Sequence, residues 1–276
     1  MTLKAPDFHD SDPSGLRTPL DRRTHIVELV ASAGFMTVTD IAAATGVSDI
    51  TIRRDLAVLE HEAAVRRTHG GAMLAGVPDG RPHDSFEPAF EARRRRNMVA
   101  KERIARAAAA LISPGETVAI DVGTTALAFA KALGVRDDVK AVTNNLRAAS
   151  LIADTHIEVY VPGGRVRRRE LAIGGATTVA EIGRLWFDSA VIGLSGLAED
   201  GLFDYSPEDT EVKRAYMRRA ERTIVLADAT KFGRRALARI ADLEDCAVLV
   251  TDAMPPAELA AALVQAGVRV ILAGEP

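Results

Sequence analysis

The stretch Val47-Ser48-Asp49-Ile50-Thr51-Ile52-Arg53-Arg54-Asp55-Leu56-Ala57-Val58-Leu59 decides the fold of the N-terminal part of this chain. Gly46 closes a short apolar segment, and Ser48 is a good N-cap for a helix that follows. Asp49 falls in the first turn of that helix, where a carboxylate suits the helix dipole. Ile52, Leu56 and Leu59 recur at helical spacing and make one buried stripe. The other face carries Thr51, Arg53, Arg54 and Ala57, with nothing bulky. Such a face fits the major groove of DNA, about 12 Å wide, where arginine reaches guanine edges or phosphates. Upstream, Thr39 to Val47 reads as a short helix and a glycine turn, so the two segments form a helix-turn-helix.

Two adjacent arginines alone would better suit a solvated amphipathic helix. The next segment separates the two readings. Val65-Arg66-Arg67-Thr68-His69-Gly70-Gly71-Ala72 is a short basic strand running into a Gly-Gly turn, as a wing along a DNA backbone requires. These residues resemble the DeoR family of bacterial transcriptional repressors. The resemblance rests on Arg22, Ile26 and Val30, on Ser48 with Thr51 to Leu56, and on His69-Gly70-Gly71-Ala72. It implies DNA contacts from Ser48, Thr51, Arg53, Arg54, Arg67, His69 and Gly70. The sequence departs from the family at Ala63-Ala64, where a glycine is usual; an alanine in a left-handed cap would cost about 1 kcal/mol.

Chain length sets the wider frame. With 276 residues, two domains are expected, each with room for a core. Apolar residues make up 47% and charged residues 26%, the balance of an ordinary globular protein. The net charge of −3 offers no global attraction to nucleic acid, so any DNA affinity must come from local cations. The one cysteine, Cys246, sits in an apolar run and reads as a buried thiol; no disulfide within the chain is possible. No apolar run is long enough to cross a bilayer and no leader is evident, so a cytoplasmic location is expected.

Residues 1–19 lack periodic apolar positions and read as a disordered tail. A winged helix-turn-helix domain is expected over 20–75, with its first helix at 20–34. Two prolines and two glycines within Gly76 to Pro82 mark a linker, placed at 76–85. The remainder, 86–276, forms the second domain. It opens with one long helix, 86–112, whose Arg93 to Arg96 run suits a solvated, phosphate-proximal or interdomain face. The family resemblance continues there through Phe90, Glu91, Arg93, Asn97, Lys101, Ile104 and Ala105. From Glu116 onward, apolar runs at 117–120, 140–142, 157–161, 189–193, 223–227, 247–250 and 268–272 alternate with helical segments. That alternation predicts an α/β domain with a mostly parallel sheet, and a ligand at the carboxyl ends of its strands.

Those ends carry small, polar or cationic residues in five consecutive cases. The first is Asp121-Val122-Gly123-Thr124-Thr125, where a glycine and two hydroxyls at a helix start make an anion site. It is neither a dinucleotide fingerprint nor a Walker A loop. The others are Thr143-Asn144-Asn145, Pro162-Gly163-Gly164, Gly193-Leu194-Ser195-Gly196, and Asp228 to Arg235. Together they read as a pocket for a small, polyhydroxylated anion. The family's C-terminal domain, which these segments also resemble, has the ribose-5-phosphate isomerase and glucosamine-6-phosphate deaminase fold, kept as a phosphosugar sensor. By that resemblance Gly123, Thr124, Thr125 and Lys231 hold a phosphate, and Asn144, Asn145, Gly163, Gly164 and Ser195 line the sugar. Lys213 also matches a family motif, though its mid-helix position equally suits a surface charge. Val122 departs from the Ser or Ile usual before Gly-Thr-Thr, which touches selectivity. Ser195 to Gly201 and Lys231 to Arg234 look most like the family's glycerol-3-phosphate repressors.

The expectation is therefore a sequence-specific DNA-binding repressor of a carbohydrate or polyol operon, relieved by a phosphorylated sugar or polyol. Double-stranded operator DNA, that effector and a second copy of the chain, as a homodimer or homotetramer, are the expected partners. No catalytic residue, metal or cofactor is assigned. The alternative is a sugar-phosphate isomerase or deaminase with an appended DNA-binding module. An enzyme needs a positioned acid and base; Asp121, Glu199, Asp200, Asp204 and Asp228 are available, but none of the pocket segments contains histidine.

Overall fold

The computed structural model describes residues 18–33, 35–62, 64–68, 71–74, 87, 90–168 and 170–274. The chain divides into two compact units, one ending at Gly80 and the other starting at Arg81. The expected tail, the linker, Ala63, and the wing residues His69 and Gly70 fall outside or almost wholly outside the described residues.

In the first unit, α1 (Pro19–Ala33), β1 (Phe35–Thr37), α2 (Val38–Thr45) and α3 (Asp49–His61) precede a hairpin of β2 (Val65–Thr68) and β3 (Gly71–Leu74). The strands pair antiparallel in the order β1-β3-β2. Gly46 makes the turn between α2 and α3 in a left-handed conformation, φ 72°, which glycine adopts without penalty. Ile26, Val30, Ile41, Ile52, Leu56 and Leu59 form the buried core, so the predicted stripe of α3 faces inward.

The second unit begins with α4 (Phe90–Arg95) and α5 (Met98–Ala109). The single long helix expected over this stretch is broken at Asn97, whose φ of 53° is left-handed. Asparagine tolerates that region better than most residues. Then follow β4 (Thr117–Ile120), α6 (Thr124–Leu133), β5 (Lys140–Thr143), α7 (Leu146–Ala153) and β6 (Glu158–Tyr160). A hairpin, β7 (Arg165–Arg167) with β8 (Ala172–Gly174), leads to α8 (Ala176–Ile182) and β9 (Phe187–Gly193). Next come β10 (Gly196–Ala198), β11 (Gly201–Asp204), α9 (Pro207–Arg218), β12 (Ala220–Leu226) and β13 (Ala238–Ala241). The unit ends with β14 (Val248–Thr251), α10 (Ala257–Gln265) and β15 (Arg269–Leu272).

Seven strands form one parallel sheet in the order β15-β14-β12-β9-β4-β5-β6. These are the seven apolar runs read from the sequence. Strand alternation sends Val118, Ile120, Val191, Ile224 and Leu226 to one face, against Ile104, Phe129, Leu133 and Ile152. Ala119, Ala190 and Ile192 face the other way, toward Val212, Tyr216 and Phe187. Both faces are covered, as an all-parallel sheet requires. The chain adds β5 and β6 on one side of β4, then returns to place β9 on the other. The order therefore reverses at β4, and the crevice beyond the carboxyl ends of β4 and β9 is the expected ligand position in such a sheet.

Candidate functional site

The polar face of α3 is built by capping and by one buried carboxylate. The Ser48 hydroxyl accepts the Thr51 amide at 3.4 Å and lies 3.0 Å from the Thr51 hydroxyl, so both residues fix the helix start. Asp55 is buried and accepts hydrogen bonds from Arg22 at 2.6 Å and Arg23 at 3.2 Å. That pair ties α3 to α1 and sets the rotation of the helix. Arg53 and Arg54 stand exposed on the opposite side, with no ion pair among the described residues. Arg67 is also exposed, but its amide donates to Glu60 at 2.9 Å and its guanidinium lies 3.8 Å from the same carboxylate. Its charge is therefore partly met within the unit.

In the second unit a cleft opens at the carboxyl ends of β4, β9 and β12. The β4 end supplies Val122, Gly123, Thr124 and Thr125; Gly123 has φ 105°, and no side chain caps the start of α6, leaving its first amides available for an anion. The β9 end supplies Gly193, Leu194 and Ser195, and the β12 end Asp228, Thr230 and Lys231. Arg93 reaches the same cleft from α4, Arg96 from the turn that follows it, Lys101 from α5, and Arg234 from beyond β12.

Lys213 is not a surface charge. It is 2% exposed, and its ammonium donates to Asp121, to Asp204 at 3.0 Å and to the Gly193 carbonyl at 3.1 Å. Burial opposes its charge, but Asp121 and Asp204 outweigh that and hold its pKa above the ordinary lysine value. Burial raises Asp121 to about 6 against the pull of Lys213. Asp204 stays below the usual carboxylate range despite burial, because Lys213 and the Ser195 hydroxyl, at 2.7 Å, both favour its charge. Ser195 is thus committed to Asp204 on the floor of the cleft.

Lys231 is half-buried, and among the described residues its ammonium has no hydrogen bond or ion pair within 4 Å. Burial lowers its pKa, Asp228 partly restores it, and Arg234, Arg96 and Arg93 lower it further. Lys101 is brought down to about 8 by burial, with Asp228 again opposing and Lys231 reinforcing. Two amines so placed share one main compensating carboxylate. Cations recessed in this way make charge-assisted contacts that are stronger than in water.

Four predicted residues lie outside this lining. Asn144 donates to the Ile173 carbonyl at 2.8 Å and is buried, and Asn145 caps α7 through the Arg147 and Ala148 amides at 3.0 and 3.2 Å. Gly163 donates its amide to Glu181 at 2.6 Å. Gly164, at φ 144°, packs so closely that a Cβ there would come within 2.1 Å of the Thr178 hydroxyl. All four follow β5 or β6, on the far side of the reversal from β9 and β12. Sequence reasoning missed Lys101 as a lining residue and the direction of Arg93 and Arg96, because the expected single helix is broken at Asn97. No group of His, Cys, Asp or Glu among the described residues is arranged to hold a metal. Cys246 is buried, its thiol pushed up to about 12, and no described helix is long and apolar enough to cross a membrane.

Both units match known families. Residues 22–76 match the DeoR-like helix-turn-helix domain, and residues 96–253 match the DeoR C-terminal sensor domain. The chain belongs to the DeoR family. The glycerol-3-phosphate regulon repressor of Haemophilus influenzae is 34% identical over 85% of this chain and 89% of its own. The transcriptional repressor GlcR of Bacillus subtilis is 32% identical over 85% and 89%. The regulator GlpR of Haloferax volcanii is 31% identical over 92% and 97%. Ribose 5-phosphate isomerase A from Methanocaldococcus jannaschii overlays on 49% of this chain and 55% of its own, at 21% identity and a TM-score of 0.38. The functional conclusion rests on the family: this DeoR protein is a DNA-binding transcriptional regulator, not an enzyme.

Proposed function

We propose that this regulator represses a carbohydrate or polyol operon and is relieved by a phosphorylated sugar or polyol bound in the β4-β9-β12 cleft. The observation that carries the reading is that Lys231 and the uncapped start of α6 line one recessed cleft. The turn offers backbone donors and the helix dipole, and Lys231 offers a full charge from a nearby strand end. Lys213, held by Asp121 and Asp204, fixes the floor beneath the ligand, where Ser195 is also anchored. Relatives named as glycerol-3-phosphate regulon repressors support a small phosphorylated effector.

The residues proposed to face DNA are Ser48 at the N-cap of α3, Thr51, Arg53 and Arg54 on α3, and Arg67 on β2, with His69 and Gly70, which lie outside the described residues. A single winged helix covers little DNA, so two modules acting on a two-fold site would supply the specificity; the chain is proposed to act as a homo-oligomer. Light scattering at micromolar concentration should give at least a dimer mass, and a monomer mass with and without operator would contradict that.

The effector reading is tested by thermal shift with matched pairs of sugar and polyol phosphates and their dephosphorylated forms. A ligand that binds only the native state raises apparent stability by mass action. At least one phosphate should stabilise the protein and its neutral form should not. Equal shifts from both members of every pair would contradict the reading.

A further inference from the structure

The segment that precedes α5 is part of the cleft. α4 is anchored at its start by Phe90, which is buried beneath the guanidinium of Arg147, 3.9 Å from the ring centroid. Arg93 donates to Glu170 at 2.5 Å and pairs with Glu87 at 3.0 Å. At the other end the chain reverses through the left-handed Asn97, whose amide nitrogen donates to Asp228 at 3.2 Å. The Lys101 ammonium then donates to the carbonyls of Arg93 and, at 2.7 Å, Arg96, closing the end of α4. This bend carries Arg93 and Arg96 to the lining of the cleft, beside Lys231 and the α6 turn. Asp228 joins the two sides: it receives Asn97 from the bend and caps the short turn Ala229–Lys231 that presents Lys231.

We propose that Arg93 and Arg96 are effector-binding residues, so that the anion is held between the sheet ends on one side and the α4 strap on the other. This rests on the effector reading given above. The consequence is regulatory. The strap is the first described helix of the second unit in chain order, so the proposal places the ligand's grip on the segment nearest in sequence to the DNA-binding unit. A ligand can shift a conformational equilibrium only through contacts that differ between its states, so the proposal requires the strap to differ between them, which exchange over residues 90–101 reads.

The test uses the full chain with inorganic phosphate as probe, reading hydrogen exchange over residues 90–101 and phosphate affinity by calorimetry. The variants are Arg96→Ala, Arg96→Lys, Lys231→Ala and, as a control for net charge, the exposed Arg184→Ala. Phosphate should slow exchange across 90–101 in the wild type. Arg96→Ala should weaken phosphate binding about tenfold, as expected for loss of a charge-assisted contact, and Arg96→Lys should recover part of it, while Arg184→Ala behaves as wild type. If Arg96→Ala matches Arg184→Ala and exchange over 90–101 is unchanged while Lys231→Ala loses phosphate, the strap proposal is overturned and the effector reading stands. If Lys231→Ala also binds phosphate as wild type does, both are overturned.

Discussion

The recognition helix and the cleft both present cations, but in opposite ways. Arg53 and Arg54 stand in solvent, fixed only by the helix beneath them. In the cleft, Lys213 is buried between Asp121 and Asp204, Arg93 is met by Glu170 and Glu87, and Lys101 is tied to two carbonyls. The difference follows from the partners proposed for the two regions. A DNA backbone is a long polyanion whose affinity comes from counterion release, and solvated side chains that can adjust are sufficient. A small anion offers few contacts, so its donors must be held in place beforehand, at the cost of burying charge. Substitutions on the exposed face of α3 should therefore spare stability and cost function, and those in the cleft should cost both.

The largest expected effect is in the cleft. Lys213→Met leaves Asp121 and Asp204 facing each other without a cation, and breaking a buried pair from one side costs about 3–5 kcal/mol. Urea denaturation should show it, and a loss below about 1 kcal/mol would put the pair in the class of surface ion pairs. Arg53→Ala or Arg54→Ala should leave the melting curve almost unchanged but cost about 1–3 kcal/mol on operator DNA, more than on random sequence. Equal weakening on both DNAs would make them phosphate contacts alone. Asp55→Ala, in the same helix, should cost stability instead, about 1–2 kcal/mol, since Arg22 and Arg23 are partly exposed and can regain water.

The smallest effect concerns pH. Lys101 titrates near pH 8 because burial disfavours its charge. A bound anion favours the charged form and raises that pKa, so binding takes up protons around pH 8. Affinity for sulfate, which does not itself titrate there, should therefore fall as pH rises through about 8, and Lys101→Met should flatten the profile. A profile unchanged by the substitution would place the anion away from Lys101.

The sheet was legible because a parallel sheet is covered on both faces, so its strands appear as apolar runs such as Val118-Ala119-Ile120 and Ile224-Val225-Leu226. The small strands were not: Arg165-Val166-Arg167 and Gly196-Leu197-Ala198 are three residues long and look like loops. The Gly123-Thr124-Thr125 turn was readable because its chemistry is local. Lys213 was not, because its partners lie 92 and 9 residues away across the fold. Nor was the bend at Asn97 visible, since four arginines in a row are good helix formers and the bend is held by Asp228, 131 residues downstream. Asn144, Asn145, Gly163 and Gly164 follow strands on the other side of β4 from β9 and β12, and strand order is what composition does not encode.

The central claim is that the anion bound beside Lys231 governs DNA binding, and operator titration tests it most directly. Operator affinity would be measured for wild type and Lys231→Ala, each with a stabilising phosphorylated ligand and with its dephosphorylated analogue. The phosphate should weaken wild-type binding by a coupling of about 1–3 kcal/mol, with no response to the neutral analogue and none from Lys231→Ala. A neutral analogue as effective as the phosphate, or a Lys231→Ala protein that responds like wild type, would contradict the account.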